Sequence, residues 1–130
     1  MIGEGFEVGT GAPLRAVHRL PWMTGSEAEP HAHDYRVRLT VRRAALDDRG
    51  MVCDLDLLDG ALGDLLDQLD GQDLDAIVED ADAVTVEVLA RWLHERLREP
   101  VRSAGGEWLS VQVWESPEAF GAYRGPVRSA

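Results

Sequence analysis

The 130-residue chain sets 24 acidic against 13 basic residues, for a net charge of -11, with 45% hydrophobic residues. That length suits one domain around a single core, and so acidic a surface repels phosphate backbones and anionic membranes, which excludes nucleic acid as an expected partner. No apolar run is long enough to span a bilayer and no secretory leader opens the chain, so a cytoplasmic protein is expected.

Apolar pieces over residues 6–20 are broken by "GTGAP", which predicts a first strand that is bent, bulged or interrupted there. The stretch "HDYRVRLTVRR" alternates. His33, Tyr35, Val37, Leu39 and Val41 fall on one face of a strand, and Asp34, Arg36, Arg38, Thr40 and Arg42 on the other. The arginine row reads as an anion-attracting lining, an intersubunit ion-pair row or a solvated face. "LDDRG" is a turn, and Cys53, with no second cysteine to pair with, is a small buried hydrophobe in a reducing compartment.

From Asp54, a suitable N-cap, Leu55, Leu58, Leu62, Leu65, Leu66 and Leu69 recur at three- and four-residue steps, which predicts an amphipathic helix. Gly60 and Gly63 each weaken it by about 1 kcal/mol. The acids between the leucines, ending at Asp70, read as its wet side. "DGQDLDAIVEDADAV" is expected to be an acid-rich loop. A second helix starts near Thr85, turns Val86, Leu89, Ala90, Leu93 and Leu97 inward, leaves His94 solvated, and stops before Pro100. In "EWLSVQVWE" Leu109, Val111, Val113 and Glu115 share one strand face, and Trp108 and Trp114 the other, where packing is favoured over ligand stacking. "EAFGAYRG" is a last short strand, with an unstructured tail after Gly125. The order gives an α+β domain over residues 1–130. It is an antiparallel four-stranded sheet with two helices on one face, ββααββ.

Residues two apart on a strand point the same way, so His31 and His33 of "HAH" project side by side, the geometry two imidazoles need to grip one metal ion. His18, closing the first strand in "AVHRLP", is the candidate third ligand. Three histidines with one open position make a catalytic-type zinc arrangement, against the alternative of a chance pair on a loop. Glu115 ends an otherwise apolar face, an expensive place for a charge without a partner.

"AVHRLP", "EAEPHAHDY", "GMVCDL", "LDGQDL", "TVEVLARWL" and "VWESPEAFGAY" follow one another in the order and with the spacing of the 6-pyruvoyl tetrahydropterin synthase and 6-carboxytetrahydropterin synthase family, which the chain resembles over most of its length. The resemblance implies the T-fold and zinc on His18, His31 and His33. It implies a glutamate, Glu115, holding the 2-amino and ring N–H edge of a pterin-like small molecule. It also implies a barrel-forming homohexamer of two stacked trimers, with Thr85 and Glu87 capping a helix and supporting the site.

Three positions depart from the family pattern. Glu27 stands where the family has its cysteine, Gly71 where it has the relay histidine after the aspartate matched by Asp70, and Ala32 between the zinc histidines. Some members with glutamate in place of cysteine resemble enzymes that cleave the dihydroneopterin side chain, and those normally retain the relay histidine. The chain is therefore read as a zinc-dependent pterin synthase-like lyase with Glu27 and Asp70 as catalytic residues. The alternatives are an enzyme repurposed to a non-pterin metabolite and a non-catalytic ligand-binding relative.

Overall fold

Strand β1 (Phe6–His18) and strand β2 (His31–Arg43) pair antiparallel without an offset, from Phe6 opposite Arg43 to His18 opposite His31. Strand β3 (Trp108–Trp114) adds to β2, and β4 (Phe120–Pro126) adds to β3, giving the sheet order β1-β2-β3-β4 in this computed structural model, which describes residues 3–78 and 81–128. The expected bulge at "GTGAP" does not occur. Cβ atoms added at Gly9 and Gly11 would sit 2.7 Å from the Leu39 carbonyl oxygen and 3.0 Å from that of Val37. The glycines let the two backbones stay close, so they preserve the pairing instead of breaking it.

Alternation decides which face is buried. Leu14, Ala16, Tyr35, Val37, Leu39, Val41, Leu109, Val111 and Val113 form the inner layer, each no more than 3% exposed. Helices α1 (Leu55–Asp67) and α3 (Val86–Ser103) lie on it through Leu58, Leu62, Leu65 and Leu66 and through Leu89, Ala90, Leu93 and Leu97. Removing one such leucine side chain costs about 2–5 kcal/mol, so this layer carries the stability that fixes the site. The Asp54 carboxylate caps α1 by accepting the Asp56 N–H, and the Thr85 hydroxyl caps α3 by accepting that of Val88. Cys53 is buried, as expected.

Four expectations are corrected. The acid-rich connection contains a short helix, α2 (Leu74–Ile77), capped by Asp73 and anchored by buried Leu74; residues 79 and 80 of that connection lie outside the described residues. Helix α3 runs through Pro100 to Ser103. Its last turn is held by buried Val101 and by N–H bonds from Ala104 to the Pro100 carbonyl and from Gly106 to that of Val101. His94 is fully buried, not solvated. The chain does not loosen after Gly125: β4 reaches Pro126, and Val127 is 2% exposed and donates its N–H to the Glu107 carbonyl. Residues 129 and 130 lie outside the described residues.

Candidate metal and substrate site

The β1–β2 register builds the histidine cluster. His18 faces His31 across the two strands, and His33 lies one step further along, opposite Ala16. One ring nitrogen from each lies within 4.8 Å of the other two. His18 is buried, with its Nδ1 2.7 Å from the Val84 carbonyl oxygen. His31 Nδ1 is 2.9 Å from the carbonyl oxygen of Glu29. A carbonyl only accepts, so both rings carry a proton on Nδ1 and turn Nε2 inward.

Among the described residues, one of the three inward atoms has no partner. Nε2 of His18 is buried without a hydrogen bond, and Nε2 of His31 lies 3.0 Å from Nε2 of His33 and 3.2 Å from Oε2 of Glu27. Three imidazole nitrogens converging beside a carboxylate are a donor set that a divalent cation can join by coordination. Carbonyl-anchored imidazoles are also the outer-shell arrangement that orients histidine ligands. The three residues therefore fit a metal ion. The pKa of His33 is lowered by burial first and then by the charges of His18 and His31, while Glu115 and Glu27 act the other way, so its ring favours the neutral, ligating form.

Glu27 sits in a single helical turn (Gly25–Ala28) of the β1–β2 connection, whose path is fixed by the Leu20 N–H bond to the Glu27 carbonyl, 2.9 Å. Its side chain is 44% exposed, at the cluster's solvent side. Glu115 is the first residue past β3 and is exposed, with its N–H bonded to the Ala119 carbonyl. It borders a cavity of about 480 Å³ together with Tyr35, Arg36, Arg38, Trp114 and Ser116. Tyr35 had no assigned role in the sequence reading. Its ring centroid is 5.4 Å from that of His33, and burial, followed by the charges of Glu115, Asp75 and Glu27, pushes its pKa upward, so it stays a neutral O–H. Its place two residues past His33 on the same strand face was the available signal.

Asp70 is not part of this group within one chain. Its Oδ1 accepts the N–H of Arg15, 3.2 Å away, in a groove beside Ala12 and Pro13. Arg15 is three strand residues before His18, about 10 Å along β1. The adjacent Gly71 adopts φ 72° and donates its N–H to the Arg15 carbonyl, which staples the end of α1 to β1.

Residues 8–126 match the 6-pyruvoyl tetrahydropterin synthase family. A comparison with curated proteins finds no match. Among solved structures, the 6-pyruvoyl tetrahydropterin synthase of Caenorhabditis elegans superposes with a TM-score of 0.71 at 24% identity, over 94% of this chain and 96% of that one. A Plasmodium vivax 6-pyruvoyltetrahydropterin synthase, a variant in which a glutamate described as a catalytic residue is replaced by alanine, gives a TM-score of 0.75 at 15% identity over 95% and 99%. An uncharacterized protein of Wolinella succinogenes gives 0.71 at 16% identity over 93% and 98%. Identities this low speak to the fold, and the four-stranded antiparallel sheet with its helices is the T-fold of these synthases. The family match runs from β1 to the end of β4 and takes in the histidine cluster, so the chain belongs to the 6-pyruvoyl tetrahydropterin synthase family.

Proposed function

We propose that this protein is a zinc-dependent, pterin synthase-like lyase acting on a dihydroneopterin-type substrate, with Glu27 in place of a cysteine. The observation that carries the reading is the convergence of three Nε2 atoms with the Glu27 carboxylate, 3.2 Å from that of His31. Zinc bound to these nitrogens would supply Lewis-acid polarisation of a substrate oxygen. Glu27 Oε2 takes the proton from the substrate's side chain as general base. Glu115 holds the N–H edge of the ring at the mouth of the cavity, and the neutral Tyr35 O–H supplies a donor on its wall. In the Plasmodium vivax protein the catalytic residue is a glutamate, which supports a carboxylate in this role. Asp70 is engaged by the Arg15 N–H and stands outside the histidine group, so in this reading its catalytic part is played at the site of a neighbouring subunit.

The test is metal content together with pterin binding. The purified protein is expected to carry about one zinc per chain by elemental analysis, and His31→Ala to lose most of it. Calorimetric titration with neopterin is expected to show binding that Glu115→Gln weakens by roughly 2 kcal/mol, because one charge-assisted pair becomes mismatched. Full zinc retention in His31→Ala refutes the metal site. Absence of neopterin binding by the unmodified protein moves the substrate to a non-pterin metabolite.

A further inference from the structure

Beside the histidine cluster, the free side of β1 is taken up by the connection that follows α1. Asp70 Oδ1 accepts the Arg15 N–H, the Arg15 carbonyl accepts the N–H of Gly71, and the Val17 N–H donates to the Gln72 carbonyl at 2.9 Å. Backbone groups two residues apart on a strand point to the same edge, so the next outward donor is the N–H of Arg19. Its acceptor is a side chain, Oδ2 of Asp75, 3.1 Å away. Up to Asp73, which bridges Val17 in parallel, the connection follows β1 as a strand would; from Leu74 it turns into α2. The carbonyls of Asp73 and Leu74 then accept the N–H groups of Ala76 and Val78, and the Asp75 carboxylate supplies the acceptor that the edge lacks.

Asp75 is held in place from its own side. Its N–H donates to Asp73 Oδ1 at 3.0 Å in the cap of α2, and the preceding Leu74 is fully buried. Among the described residues no cation pairs with its carboxylate. What it holds borders the site twice. The Arg19 N–H lies in the peptide plane that also carries the His18 carbonyl, so pinning it fixes the backbone from which the His18 ring reaches the Val84 carbonyl and presents Nε2 to the cluster. One residue further on, Leu20 donates its N–H to the Glu27 carbonyl, so the same anchor sets the start of the loop that carries Glu27. The charge of Asp75 also reaches Tyr35, whose pKa it helps to raise after burial and Glu115, which puts the carboxylate on the flank of the cluster.

We propose that Asp75 is a positioning residue for the metal centre: through the Arg19 N–H, its carboxylate holds His18 and the Glu27 loop in place against His31 and His33. The inference rests on the metal site proposed above. Its test is titration of the purified protein, stripped of metal, with Co²⁺, whose visible absorption reports both affinity and ligand geometry. Asp75→Ala is expected to weaken Co²⁺ binding about tenfold and to alter the absorption bands, as loss of an outer-shell partner does. Asp75→Asn, which keeps an acceptor oxygen at the same place without the charge, is expected to restore both. Asp54→Ala, which loses a carboxylate cap on α1, is expected to leave both unchanged. Should Asp75→Ala fail to fold, Asp75→Glu takes its place: it keeps the charge, displaces the oxygen by one methylene, and is expected to weaken binding several-fold. Unchanged affinity and bands in Asp75→Ala, or in Asp75→Glu where that replaces it, overturn the proposal and leave the metal site standing. Weak binding by Asp75→Asn overturns it as well, because charge and not position then decides, and equal weakening in Asp54→Ala reduces the effect to lost stability. No Co²⁺ binding by the unmodified protein refutes the metal site itself, and the role of Asp75 with it.

Discussion

At Glu27 a carboxylate approaches an imidazole nitrogen of His31, 3.2 Å away, in a loop that is otherwise solvated. A loop acid with no task would turn outward, where hydration is better. If Glu27 is the base, Glu27→Gln keeps all three imidazoles and so keeps about one zinc per chain, while turnover on the true substrate falls by roughly 10² to 10⁴. Unchanged turnover in that variant makes Glu27 only a surface acid. The H-x-H spacing and a histidine closing the neighbouring strand made the cluster legible in the sequence, because strand parity and register follow from local pattern. The groups that orient it were not legible. The carbonyls of Val84 and Glu29 belong to irregular segments whose course depends on tertiary packing, and backbone atoms carry no residue-type signature. The separation of Asp70 from the cluster was equally hidden, since it follows from where the end of α1 docks on β1.

Helix α3 shows how one polar residue misleads an element-scale reading. His94 lies four residues after Ala90 and three before Leu97, on the buried stripe, but its polarity suggested the wet side. In the structure its Nε2 is 3.1 Å from the Leu109 carbonyl oxygen and 3.3 Å from that of Gly125, and its Nδ1 accepts from Arg98 Nε at 3.1 Å. The ring stands edge-on to Tyr123, with centroids 4.9 Å apart, so a neutral imidazole ties α3 to both β3 and β4. Burial lowers its pKa from the ordinary 6.5, outweighing the two carbonyls that favour the charged form. The unfolded chain therefore binds this proton more readily than the folded one, and stability must fall as pH drops below about 6.5. Thermal melts from pH 7.5 to 5 are expected to show that decline, and His94→Gln, which keeps a donor but does not titrate, to flatten it. His94→Ala is expected to cost about 2–4 kcal/mol at neutral pH through a cavity and two carbonyls left unpaired. An unaltered pH slope in His94→Gln assigns the acid sensitivity to other groups. Pro100 misled in the same way: its cost to a helix is real, but burial of Val101 in the following turn outweighs it.

On the scale of the whole molecule, the sheet leaves two edges open. Among the described residues, β1 pairs with β2 and is covered on its other side only near its end, where Arg15 and Val17 bond to the 71–73 connection, while β4 pairs only with β3. Long unpaired edges invite pairing with another chain, and natural proteins close, cover or charge them. Here β1 offers its donors and acceptors next to exposed Phe6, and the β1–β2 connection adds exposed Trp22 and Met23 close to Glu27. Phe120 is also exposed, at the start of β4. Apolar side chains at both edges and beside the site suit burial between copies of the chain. An assembly joined edge to edge would also bring a neighbouring subunit's surface to Glu27, which the place of Asp70 outside the histidine group requires if that aspartate is to serve catalysis. The expected state is a hexamer of two stacked trimers, with a light-scattering mass about six times the 14.3 kDa chain. Trp22→Asp places a charge in the contact and is expected to shift the mass toward smaller species and to lower turnover without unfolding the subunit, since Trp22 is 62% exposed in the single chain. A stable 14.3 kDa monomer at micromolar concentration with full activity refutes both the assembly and the role given to Asp70, because a complete site would then have to lie within one chain.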